Sequence, residues 1–121
     1  MVAILAVALV GCGRAERPDF ETWQPLWEEA LDVIPPPSFA RSPDMATCER
    51  AVGDLRETQE SLLPSPDGTL DGPVRDWISL AEHTFFECPP REGDIIGFDE
   101  AYVELERIRL EVEAVLDTAD R

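Results

Sequence analysis

The sequence predicts an all-α fold: an up-down antiparallel bundle of three to four helices, stapled by one disulfide. Three observations predict it. Four stretches carry apolar residues at three- and four-residue spacing, the period of a helix with one buried face. Proline clusters at Pro35-Pro36-Pro37, at Pro64 with Pro66, and at Pro89-Pro90 follow such stretches and separate them. The chain after the first residues has no useful run of the period-two alternation that marks a half-buried strand. At 121 residues, it is one domain at most.

The first stripe is Phe20, Trp23, Trp27, Leu31 and Ile34, with Pro25 placed in the first turn, so that the regular helix begins near Trp23. The second opens with Ser42 as N-cap and Pro43 at the first helical position. It runs through Met45, Cys48, Val52, Leu55, Gln59 and Leu62 and stops before Pro64. A third begins after Asp71-Gly72-Pro73 and aligns Val74, Trp77, Ile78, Ala81, Phe85 and Cys88. The fourth starts near Asp99 and aligns Ala101, Leu105, Ile108, Val112, Val115 and Ala119. Glu104 with Arg107, and Arg109 with Glu113, are spaced to pair on its outer face. Short connections between these helices favour antiparallel neighbours.

The N-terminus reads differently. Val2 to Val10 is an unbroken apolar run of nine residues. As a helix it would span roughly 14 Å, about half a bilayer core, which suits a signal-peptide hydrophobic region and not a transmembrane span. The run closes on Leu9-Val10-Gly11-Cys12, which resembles the lipobox of bacterial lipoprotein precursors. That resemblance covers twelve residues, and no basic residue precedes the run as it does in most such signals. It implies cleavage before Cys12, lipidation of the Cys12 thiol, and a lipid anchor on the outer face of the cell membrane. The domain plan that follows is a signal peptide at 1–11, a lipid-anchored tether at 12–18 and a bundle at 19–121. Arg14 and Arg17 would then face anionic headgroups, at about 1 kcal/mol each.

With Cys12 lipidated, two cysteines remain. An even count in a small extracytoplasmic domain reads as a disulfide. Cys48 near the start of the second helix and Cys88 at the end of the third would meet in an antiparallel hairpin. The alternative is two separate buried thiols.

The chain holds 26 acidic residues against ten basic ones, for a net charge of -16. Every basic residue is Arg, and neither Lys nor Asn occurs. Absence of the two residues with adenine-rich codons points to a high-GC genome, such as an actinobacterium or its phage. So acidic a chain is not built for nucleic acid. It prefers cations or a partner with a basic surface.

Motifs that carry chemistry are sparse. His83, the one histidine, shares a helical face with Asp76 and Glu87, a weak candidate for a divalent cation whose plainer reading is a solvated acidic surface. Asp67-Gly68-Thr69-Leu70-Asp71-Gly72 partly resembles an EF-hand loop. It departs at Thr69, at Pro73 and at Ile78, where the bidentate Glu would stand, and a turn leading into a helix explains the same residues. The sequence contains no Gly-x-Ser-x-Gly, phosphate-binding Gly loop or cofactor motif. Phe85 and Phe86 are adjacent, so a narrow stripe buries only one of them and a wide stripe buries both. Phe86 is the candidate partner contact if one is exposed. The functional expectation is a non-enzymatic, lipid-anchored interaction module of the envelope, acting in phage exclusion if phage-encoded. A cation- or small-ligand-binding lipoprotein is the alternative.

Overall fold

The computed structural model describes residues 16–88 and 95–119. They form four α-helices and one 3-10 turn, with no strand among the described residues: α1 (Phe20–Val33), the 3-10 turn (Pro37–Arg41), α2 (Met45–Leu62), α3 (Gly68–Phe86) and α4 (Ile95–Ala119).

One device starts three of the four helices. Asp19, Asp44 and Asp67 hold extended backbone, and each carboxylate accepts a hydrogen bond from a threonine amide in the first turn: Thr22 at 2.7 Å, Thr47 at 2.8 Å and Thr69 at 2.8 Å. Each satisfies one of the amides that a helix N-terminus leaves unpaired. These caps move the helix starts away from the expected positions. α1 begins at Phe20 and not at Trp23; α2 is capped by Asp44, with Ser42 and Pro43 outside it; α3 starts at Gly68, upstream of Asp71-Gly72-Pro73. Pro25 and Pro73 therefore lie inside their helices. Each withholds a hydrogen bond from the carbonyl four residues back, on Glu21 and Thr69, and both of these residues are exposed, where water serves. α4 begins at Ile95, four residues before Asp99.

The stops follow proline. Ile34 and Leu63, each preceding a proline, are extended at φ -77°, ψ 130° and φ -123°, ψ 133°. The ring of the next residue disfavours helical backbone there.

Consecutive helices pack on one another, and the 3-10 turn packs on α4. Their directions alternate. The indole of Trp23, at the start of α1, donates to the carbonyl of Leu62, at the end of α2, at 2.9 Å. The Tyr102 hydroxyl, early in α4, donates to Pro35, just past α1, at 3.0 Å. Cys48 at the start of α2 is bonded to Cys88 just past α3, with Cα atoms 5.9 Å apart. The fold is the expected up-down bundle with its disulfide.

The core has two aromatic centres. Trp23 and Trp27 stack with centroids 5.8 Å apart, and Trp27 meets Trp77 edge-on at 5.1 Å. Nearer the bridged end, Phe85, Phe98 and Tyr102 form a triad of edge-to-face contacts at 5.6–6.0 Å. Such pairs add about 0.5–1.5 kcal/mol each beyond their area. Burial pushes the Tyr102 phenol up to about 12. All six residues of the expected α3 stripe are buried. Elsewhere the stripe shifts: Met45, Gln59 and Ala119 are exposed, Val115 is half-buried, and Phe98 and Leu116 join the core.

Candidate interaction surface

Cys12 and the segment 1–15 lie outside the described residues. The chain leading from that segment is fastened to the bundle. Arg17 donates to the backbone carbonyl of Ser65 at 3.0 Å and forms an ion pair with Asp71 at 2.8 Å. Asp71 in turn accepts from the Ser65 amide at 3.0 Å and hydroxyl at 2.5 Å. Ser65 is wholly buried, and its hydroxyl also lies 2.6 Å from the Asp67 carbonyl, so one proton serves two acceptors. The Arg17 guanidinium, with help from the Ser65 hydroxyl and amide, holds the Asp71 carboxyl far below the usual carboxylate range, against the opposing pull of burial. Arg17, expected to face headgroups, is engaged by the body of the protein.

These bonds also show what the Asp67–Gly72 segment does. Asp67 caps α3 and Asp71 receives Arg17 and Ser65, so both would-be calcium ligands are committed to the fold. His83 and Glu87 approach to 3.7 Å with both side chains largely exposed. Asp76 lies toward α4: the Arg107 pKa is raised chiefly by its hydrogen bonds to Glu104, with smaller contributions from Glu111 and Asp76. Among the described residues, no group of three or more His, Cys, Asp or Glu side chains is placed to hold a metal ion.

Among the described residues, open surface grooves lie at both ends of the bundle. One, of about 420 Å³, lies at the bridged end between Ile34, Phe39, Thr47 and Arg50; the other, of about 590 Å³, lies at the opposite end between Phe20, Val115 and Thr118. Neither buries an ionisable group that would mark a reaction centre.

Phe85 is 1% exposed and belongs to the core, whereas its neighbour Phe86 is 68% exposed. Among the described residues, Met45 (59%), Val103 and Leu110 are the other large apolar side chains in solvent. Phe86 ends α3 two residues before the disulfide, and Met45 opens α2 one turn before it. Helical spacing puts Glu49 on the face of Met45 and Glu82 on the face of Phe86. Arg56, on the same side of α2 as Glu49, reaches Glu82 at 3.0 Å and ties the two faces together. Met45 and Phe86 thus stand as exposed apolar side chains near the bridged end of the α2–α3 hairpin, each with a carboxylate one turn away. Sequence periodicity places Phe85 on the α3 stripe and Met45 on that of α2, and leaves the burial of Phe86 open.

No helix among the described residues is long and apolar enough to cross a membrane. Comparison with protein-family models, with characterised proteins and with solved structures returns no match.

Proposed function

We propose that this protein is a lipid-anchored module of the bacterial envelope that acts by binding a partner protein. Two features of different kinds support the reading. The Leu9-Val10-Gly11-Cys12 motif, closing a short apolar run, supports the anchor. Phe86 is the candidate contact: it is an aromatic side chain two-thirds in solvent on a chain of net charge -16, and aromatic residues are over-represented among interface anchors. The acidic body is repelled by anionic headgroups and meets a partner with a basic surface.

The anchor is tested by expressing the full chain in a bacterial host. It should enter the membrane fraction and take up a palmitate analogue, and Cys12→Ala should abolish labelling. Unchanged labelling and fractionation of Cys12→Ala overturns the anchor. The interaction is tested by crosslinking in intact cells, where Phe86→Ala should lose a discrete adduct that the native chain forms.

A further inference from the structure

The fold gives the bundle two unlike ends. At one, Arg17 is pinned to Asp71 and Ser65, close to the start of α1. Five residue steps separate Arg17 from Cys12, a reach of at most about 17 Å. The opposite end carries the Cys48–Cys88 bridge, Met45 and Phe86. α3 connects them, and its 19 residues span about 28 Å.

The surface at the bridged end has a definite chemistry. Glu49 and Glu87 are exposed there, and Glu82 is half-exposed and shared with Arg56; the Asp44 carboxylate turns instead to Thr47, on the side of Arg50. His83 leans toward Glu87. Arg50 belongs to the other side of α2, where it lines the groove with Asp32 and Asp54. The C-terminal carbonyls of α3 add partial negative charge beside Phe86. Between Glu49 and Arg56, the exposed Gly53 has nothing within 4 Å of where a Cβ would stand, so α2 offers a bare stretch of backbone next to the acidic side chains.

We propose that the partner docks at the membrane-distal end of the α2–α3 hairpin, over Met45, Phe86 and the open backbone at Gly53. Its contact surface is basic and supplies an apolar pocket for Phe86. This rests on the lipid-anchored reading above, which fixes which end is distal. Charge complementarity selects the occupant: an acidic membrane surface or a second copy of this -16 chain would be repelled by the same carboxylates.

The test uses the full-length, membrane-anchored protein in intact cells, with a photocrosslinking amino acid at position 45, 86, 110 or 118 in separate variants. Positions 45 and 86 should capture one discrete partner through a peptide of net positive charge, and 110 and 118 should not. From position 45, Phe86→Ala should reduce that adduct roughly tenfold or more, as loss of an interface anchor does. Gly53→Gln gives a second readout: a better helix former in open space should raise Tm while the adduct falls. Capture only from 110 or 118, an acidic contact peptide, or an adduct of two copies overturns the docking surface and leaves the anchored-module reading standing. No adduct from any position overturns both. Loss of palmitate labelling in the same cells overturns the assignment of the distal end.

Discussion

Arg17 and Asp71 meet at 2.8 Å across 54 residues of sequence. The contact fastens the chain before α1 to the start of α3 and positions the buried Ser65 between them. Because the Asp71 carboxyl is held below its ordinary value in the folded state, its contribution to stability is full above pH 4 or so, where the unfolded group is ionised. That contribution is lost as pH falls toward the depressed folded value. Asp19, Asp44 and Asp67, lowered by their threonine partners, act with the same sign. Tm should therefore decline on acidification from pH 5 to pH 2, and decline less steeply in Asp71→Asn. At pH 7, Asp71→Ala should cost about 1–3 kcal/mol, because it leaves the Ser65 amide without its acceptor, while the Ser65 hydroxyl keeps the Asp67 carbonyl. Equal acid sensitivity in native protein and Asp71→Asn would show that the contact contributes nothing.

That contact was not legible in the sequence, and the reason is physical. Periodicity reports which face of a helix is buried, so the α3 stripe from Val74 to Cys88 and the pairing of Cys48 with Cys88 could be read directly. A hydrogen-bonded cluster of Arg17, Ser65 and Asp71 has no period, and its members come from three segments. In the sequence, Pro25 and Pro73 look like marks of a helix start. Asp19 and Asp67 instead carry their helices one turn upstream and leave Pro25 and Pro73 inside, opposite carbonyls that water can reach. The signal that locates these starts is an aspartate followed by threonine two or three positions later, before the apolar stripe. Phe86 depended on the width of the α3 stripe, which periodicity does not report: the stripe proves narrow enough to bury Phe85 and leave Phe86 in solvent.

The two stacked tryptophans separate packing from hydrogen bonding. Trp23 and Trp27 are both buried, at 0% and 1% exposure. The Trp23 indole donates to Leu62, while that of Trp27 finds no acceptor among the described residues. Replacement by Phe removes a similar volume from each. Trp23→Phe also orphans the buried Leu62 carbonyl, and Trp27→Phe relieves an unpaired donor. Trp23→Phe should be the more destabilising by about 1–3 kcal/mol in chemical denaturation. Equal losses would mean that the Leu62 hydrogen bond adds nothing beyond packing.

The disulfide closes 40 residues of sequence, from the start of α2 to the end of α3. In the chain-entropy model such a loop contributes about 4 kcal/mol, comparable with the whole stability of many domains this small. Intact mass of the soluble domain should rise by two hydrogens on reduction. Cys48→Ser with Cys88→Ser should lower Tm by well over ten degrees, since about 1 kcal/mol moves a domain of this size by roughly 4–8 °C. Ready labelling of two thiols in the native, unreduced protein would contradict the bond.

Phe85 and Phe86 give the sharpest comparison, because chemistry and sequence context are shared and only the side-chain environment differs. Phe85 touches Phe98 and Tyr102 edge-to-face at 6.0 Å and is 1% exposed; Phe86 is 68% exposed. Phe85→Ala removes a core ring and should cost about 3–5 kcal/mol. Phe86→Ala removes a ring already largely in water and should stay within about 0.5 kcal/mol. Urea unfolding of the two variants decides the matter. The outcome bears on the proposed contact, which requires an aromatic residue that adds little to folding. A loss of several kcal/mol in Phe86→Ala would make it a core residue, and the docking surface would lose its apolar anchor.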